Sequence, residues 1–205
     1  MSELIPPNAR TSPSTARNRD PILAVLKTHL PASGLVLEIA AGAGEHAVHN
    51  AAALPHLHWQ PTDPSPEALV SIAAWREQAG LLNLLPPLPL DASNPDLWPV
   101  ERADAVVNIN MIHISPWAAA EGLMAGAGRL LSSGGLLYLY GPYIVPGIET
   151  ADSNLAFDLD LKRRNPAWGL RSLDKVTELA AHHALDLSER IEMPANNLSL
   201  IFRKR

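Results

Sequence analysis

Cysteine does not occur anywhere in the 205 residues. Its absence excludes disulfides, thiolate nucleophiles and cysteine-based zinc sites together. Long apolar runs are also missing: none reaches about 18 residues, the length a membrane-spanning helix needs. Residues 1–15 are polar, contain Pro and Ser, and lack the apolar centre of a signal peptide, so we expect a cytoplasmic protein. Nor is there a basic excess. With 16 Lys and Arg against 21 Asp and Glu, the net charge is −5, which argues against a nucleic-acid surface. The basic end Arg203-Lys204-Arg205 reads as a solvated run. Repeats and interior linkers are lacking too. Proline is abundant, 19 residues with many in the N-terminal part and in loops, and it marks frequent element ends.

With 47% hydrophobic residues the chain suits one domain with a sizeable core. We read residues 1–16 as a flexible lead-in and 17–205 as the folded unit. Helices are expected over 21–29 (Asp20 as N-cap, Pro21 first), 45–53, 66–79 behind the Ser65 cap, 116–131, 153–164 and 172–183. Strands are expected over 35–39, 57–62, 84–90 (weakened by prolines), 103–109, 135–140, 187–193 and 198–203, with a helical turn near 96–98. Strands alternating with helices imply a mostly parallel sheet of α/β type with helices on both faces. The two final strands are too close for a crossover helix, so they must run antiparallel.

The segment Val36-Leu37-Glu38-Ile39-Ala40-Ala41-Gly42-Ala43-Gly44 stands out. An apolar strand meets an acid, then small residues with glycines spaced G-x-G, then a helix. Glycine permits a tight turn and close backbone approach, and the helix start offers free N–H groups. Gly42-x-Gly44-x-x-Ala47 fits a dinucleotide fingerprint, with Asp63 at the ribose-binding spacing. Glu38 points elsewhere: a carboxylate would repel pyrophosphate and attract an ammonium group.

These residues resemble the class I methyltransferase pattern, an acid followed by small or Gly residues at alternate positions, here Glu38, Ala40, Gly42 and Gly44. The resemblance implies a Rossmann-like fold, a mostly parallel seven-stranded sheet with an antiparallel last strand, and S-adenosylmethionine as cofactor. It implies that the loop holds the methionine part, that Glu38 helps bind its amino group, and that Asp63 accepts from the ribose hydroxyls. Asp91 would meet the adenine amino group, with the Ala92 N–H on a ring nitrogen, and Asn108 completes the set. Ala40 replaces the usual glycine, which suits a turn with φ below zero. A closer resemblance spans nearly the whole chain. Arg17-Asn18-Arg19-Asp20-Pro21-Ile22, Trp59-Gln60-Pro61-Thr62-Asp63, Asn110-Met111-Ile112-His113, Tyr140-Gly141-Pro142-Tyr143, Asn165-Pro166-Ala167-Trp168-Gly169 and Met193-Pro194-Ala195-Asn196-Asn197 are similar to the methyltransferase-like twenty-six family. That implies methyl transfer and names no substrate.

Methyl transfer from a sulfonium asks the protein to position a nucleophile and exclude water; a base is needed only for an acceptor that keeps its proton. Substrate should bind beyond the carboxyl ends of the strands. His113 is the candidate base, or else a histidine bonded to loop backbone, with Asn110 beside it. Asn108-Ile109-Asn110-Met111 lacks both prolines and the aromatic of the Asn-Pro-Pro-aromatic signature, so methylation of base amino groups is not carried over. Tyr140 and Tyr143 either wall an acceptor site or pack the following segment. Residues 144–171 form an insertion expected to cover the cleft. Within it Asn154, Phe157, Asp158, Arg164, Trp168 and Arg171 either contact substrate or, for the arginines, pair with Asp158 and Asp160. Asn196 and Asn197 either shape the last turn or read substrate. Arg17, Asn18 and Arg19 fold back over the cofactor or stay solvated. His46, His49, His56 and His58 lack metal-ligand company and read as surface histidines.

The expected partner is thus a small-molecule acceptor, with no nucleic acid and no membrane; the oligomeric state is open. Competing readings are a non-catalytic protein that senses S-adenosylmethionine or S-adenosylhomocysteine, and an NAD-dependent oxidoreductase.

Overall fold

The computed structural model describes residues 5–205; the first four positions of the expected lead-in lie outside the described residues. Helix α1 spans Pro13–His29, and so begins well before the expected Pro21, inside the stretch read as a lead-in. Pro13 occupies a first-turn position, where its missing N–H costs nothing. The half of α1 before Pro21 has few apolar residues, and Asn18 anchors it, its Oδ1 accepting a 2.9 Å bond from the His46 ring. The half after it buries Ile22, Leu23 and Leu26.

Strand β1 (Gly34–Ile39), helix α2 (Glu45–Ala53), strand β2 (Leu57–Asp63) and helix α3 (Pro66–Ala79) follow. The α3 cap is the expected one, with the Ala68 N–H donating to Ser65 Oγ at 3.2 Å. Strand β3 shrinks to Leu88–Pro89, preceded only by a lone bridge from Leu84 to Trp59. Pro86, Pro87 and Pro89 have no N–H for a ladder. Then come β4 (Ala103–Ile109), α4 (Trp117–Leu130) and β5 (Leu131–Gly141). The short strands β6 (Tyr143–Ile144) and β7 (Arg171–Ser172) pair in parallel. They close the base of a segment that carries helix α5 (Asp152–Arg164). Helix α6 (Leu173–His182) and strands β8 (Leu185–Met193) and β9 (Asn197–Lys204) complete the chain.

The seven main strands run in the order β3-β2-β1-β4-β5-β9-β8. The first five pair in parallel, and β9 is antiparallel to both β5 and β8. Alternate residues of the parallel strands feed opposite cores. Leu37, Ile39, Val106, Leu137 and Leu139 pack with Leu123, Met124 and Ala127 of α4 and Val176 of α6. Val36, Trp59, Ala105, Val107 and Tyr138 pack with Ile22 and Leu26 of α1 and Ala47 and Ala51 of α2.

Helix α4 comes close to the segment after β3 because Gly122 has no side chain: a Cβ there would lie 2.0 Å from the Ala92 carbonyl oxygen. We therefore expect Gly122→Ala to cost about 1–3 kcal/mol of stability and to push the Ala92 segment outward. Urea denaturation reads the first, and an unchanged midpoint would show that the close approach is dispensable.

Candidate functional site

The carboxyl ends of β1, β2, β3 and β4 meet at one edge of the sheet. The turn after β1 is tied down from several sides. Ala41 N–H donates to Thr62 O at 2.8 Å, Ser71 Oγ of α3 donates to Ala43 O at 2.7 Å, and Gly42 N–H donates to Asp63 Oδ2 at 2.9 Å. Gly44 caps α2 at φ 92, with its missing Cβ only 2.9 Å from Ile72 Cα, so any side chain there would force α2 off α3. A Cβ on Gly42 would meet nothing within 4 Å, so open space adjoins the backbone at that point. Ala40 corrects the expectation of a negative φ: it sits at φ 58, a left-handed geometry that costs a non-glycine residue about 1–2 kcal/mol and persists because its neighbours are pinned.

The three carboxylates differ in surroundings. Glu38 is buried in β1 and accepts a 2.6 Å bond from Trp59 Nε1. Burial pushes its carboxyl from 4.5 up to about 7, against the pull of the Trp59 bond and with a further push from Asp63. Asp63 has one bond to each oxygen, from Gly42 N–H and from Ser65 N–H at 2.9 Å, so it is first a clamp between two turns. Burial raises its carboxyl, opposed by those two bonds and by Arg10. Asp91 is exposed. It accepts from the Ser93 backbone and hydroxyl and from Asn94 Nδ2, bonds that hold its carboxyl below the usual range. It acts as the cap of its own loop. Asn108 donates to Ile39 O at 2.9 Å, while its buried Oδ1 has no partner among the described residues.

Two cavities open at this edge. One, about 350 Å³, lies between Ala40, Pro64 and Leu90 on one side and Met111 and Ala119 on the other, with Asp91, Ala92 and Ser93 at its rim. The other, about 520 Å³, is a cleft between α1 and α5. Helix α1 contributes Ser14, Arg17, Asn18 and Pro21; α5 contributes Ser153, Asn154 and Phe157. Its floor is Asn110, Tyr140 and Pro142, and the turn before β9 adds Pro194 and Ala195, with Asn197 at the start of that strand. The insertion therefore supplies one wall of this cleft.

His113 is not among the lining residues, which corrects its reading as a base that faces substrate. Its ring is fully buried, with neither nitrogen hydrogen-bonded among the described residues. Burial, aided by the Arg171 charge, holds the imidazole down to about 3, so it stays neutral. It packs edge-on against Tyr143, with centroids 4.8 Å apart. The buried Tyr143 hydroxyl has no partner among the described residues either, and Tyr143 borders the adjoining 210 Å³ cavity, not the cleft between α1 and α5. Of the two tyrosine readings, packing describes Tyr143, and walling the cleft describes Tyr140.

The insertion residues divide as well. Asp158 accepts from Leu170 N–H at 2.8 Å and pairs with Lys162, not with Arg164 or Arg171. Arg164 stacks over Trp168 at 5.1 Å. Arg171 donates to the carbonyls of Ile112, Ser115 and Ala167 and lies over the Trp117 ring. These four lie outside the cleft lining, and Arg171 staples the insertion to the loop after β4. Asn196, at φ 57, accepts through its carbonyl from Asn154 Nδ2 at 2.9 Å and sits beside a neighbouring cavity instead. Asn197 lines the cleft, although its amide donates to Pro194 O and Ala195 O. His46 is buried against Asn18, contrary to the surface reading, with its imidazole lowered by burial to about 4. Among the described residues no group of three His, Cys, Asp or Glu could hold a metal ion.

Several lining residues escaped the sequence reading. Met111, Ser115 and Pro64 had no signal, since a site wall needs only shape. Ser14 was hidden by starting α1 at Pro21. Arg17 and Asn18 could have been placed on the cleft had that helix been continued upstream.

A family model described as "protein of unknown function (DUF938)" matches residues 9–204, and the chain belongs to that family. Solved structures are also similar. An O-methyltransferase family protein from Burkholderia thailandensis superposes with a TM-score of 0.79 at 16% identity, over 93% of this chain and 57% of that one. An O-methyltransferase family 2 protein from Planctomyces limnophilus, in complex with apigenin, gives 0.77 at 20% identity, over 94% and 60%. CalO1, a methyltransferase in calicheamicin biosynthesis solved with S-adenosylhomocysteine bound, gives 0.74 at 14% identity, over 94% and 55%. The chain thus spans less than two thirds of the length of these proteins. The architecture is the class I methyltransferase fold.

Glu38 makes stability depend on pH in a definite direction. The native state keeps its proton up to about pH 7, whereas the reference carboxyl loses it near 4.5. The folded protein therefore binds more protons in that window and loses stability as pH rises through it. Glu38→Gln keeps an acceptor for Trp59 and removes the titration. We expect the variant to gain on the parent by about 3 kcal/mol from the acid to the alkaline side of this window. Urea denaturation across pH measures it, and a constant difference between the two proteins would contradict the burial argument.

Proposed function

We propose that this member of the DUF938 family is an S-adenosylmethionine-dependent methyltransferase acting on a small-molecule acceptor, and that it falls within the methyltransferase-like twenty-six group its motifs resemble. One observation carries the reading: Asn108 Oδ1, a buried acceptor without a partner among the described residues, lies at the end of β4, where the amide nitrogen of the same side chain donates to Ile39 O just before the glycine loop. An unpaired buried acceptor is costly, and an ammonium group would satisfy it. Glu38, on the other face of the sheet at the end of β1, would add charge at the same strand ends. Gly42 leaves its backbone open to a ligand, and the apolar cavity rimmed by Asp91 and Ala92 suits a flat heterocycle. Asp63 would serve twice, holding the loop and offering its remaining lone pairs to ribose hydroxyls.

When bound, the cofactor supplies a methyl group on a sulfonium. The chain's own work would then be positional. The loop fixes the donor end, Asn110 and Tyr140 border the cleft on the acceptor side, and α5 shields the gap from water. The neighbours' names and the S-adenosylhomocysteine in one of them support the cofactor assignment.

Calorimetry tests it. S-adenosylmethionine should bind more tightly than NAD, and Asn108→Ala, with its fold checked by circular dichroism, should weaken it by about 10- to 100-fold. Because an ammonium beside Glu38 lowers its carboxyl, binding near pH 7 should release protons, seen as an enthalpy that changes with buffer. Glu38→Gln should abolish that release. Preference for NAD, or full affinity in Asn108→Ala, would refute the site. Binding without any transfer across a broad set of acceptors would leave a cofactor-binding protein instead of an enzyme.

A further inference from the structure

We infer that the cleft between α1 and α5 takes a planar anion, an acceptor whose nucleophilic oxygen already carries its negative charge, and that Arg17 holds it. The inference rests on the cofactor reading above and adds the acceptor's class.

Charge decides first. Among the described residues lining this cavity Arg17 alone is charged; no Asp, Glu, Lys or His lines it. Arg17 is exposed on α1 and forms no ion pair among the described residues. An unpaired guanidinium facing a cleft without carboxylates attracts an anion and repels an ammonium. The other donors are largely spoken for. Asn154 donates to Asn196 O, Asn197 to Pro194 O and Ala195 O, and Asn18 bonds His46 and the Tyr140 hydroxyl.

Proton chemistry agrees. An acceptor that kept its proton would need a base within reach. His113 is sealed beneath the cleft, out of the lining. Tyr140 is neutral at working pH, since burial raises its phenol above the ordinary range. Glu149 and Glu192 line the adjoining cavity of about 210 Å³, beyond the shared Asn154 and Asn197 and beside Arg190. An acceptor that arrives deprotonated needs none of these. Its anionic oxygen attacks the sulfonium methyl, a carbon–oxygen bond forms, and the carbon–sulfur bond breaks with its electron pair left on sulfur. The positive sulfonium and the negative oxygen are both neutralised, and no proton has to leave.

The cleft walls favour a planar molecule. Phe157, Tyr140 and the rings of Pro21, Pro142 and Pro194 give the cleft flat apolar surfaces, and about 520 Å³ is room for a one- or two-ring molecule.

The experiment uses the full chain saturated with S-adenosylhomocysteine. Benzoate and 4-nitrophenolate, one carboxylate and one phenolate, are titrated in by calorimetry against tyramine and benzylamine. We expect the anions to bind and the amines not to. Arg17→Gln should weaken the anions about 10-fold or more while leaving S-adenosylhomocysteine affinity unchanged, and Arg17→Lys should recover part of the loss. With S-adenosylmethionine, mass spectrometry tells a methyl ester from a methyl ether and so separates the two kinds of anionic oxygen. Tighter binding or faster methylation of the amines, or anion affinity indifferent to Arg17→Gln, would overturn the inference. Failure of S-adenosylhomocysteine to bind at all would sink the cofactor reading beneath it.

Discussion

The carboxylate of Asp63 holds the arrangement from which everything at the sheet edge follows. One oxygen receives Gly42 N–H and the other Ser65 N–H, so the turns leaving β1 and β2 are bound to the same group. A third attachment, Ser71 to Ala43 O, fastens the loop to α3. Over-determination of this kind explains how Ala40 keeps a left-handed φ that glycine would adopt freely. It also keeps Gly44 pressed against Ile72, where no side chain fits.

Charge is distributed unevenly around this edge. The cofactor side carries Glu38, Asp63 and Asp91, two of them buried, and an amide oxygen on Asn108 unpaired among the described residues. The other cleft is lined by amides, prolines and rings, with Arg17 its one described charge. A protein shaped this way offers acceptors to a cation in one compartment and a donor to an anion in the next. Electroneutral methyl transfer between them would need no titrating side chain in the cleft, which fits the sealed, neutral state of His113.

Much of the fold was readable from apolar spacing. The expected helix at 45–53 and strand at 103–109 match the observed bounds, because both are apolar elements ended by strong turn residues. Helix α1 was read short because Pro21 resembles a helix start, whereas Pro13 is the start and a side-chain bond to His46 anchors the polar half. The third strand was read long because leucines run through 84–90, yet its prolines cannot donate to a ladder.

The candidate site was legible in part, and the division has a physical reason. Sequence alone determined which residue types stand at the strand ends: an acid before G-x-G, and acids after the next two strands. Spacing along one chain sets those positions. Only the tertiary structure decided what each group faces. It turned Asp91 into a loop cap, Arg171 into a staple and His113 into a buried neutral ring, and it brought Arg17 from α1 to the same cleft as Phe157 from α5. Burial and partnership depend on segments far apart in the chain, and those set charge state and access, on which the chemistry depends.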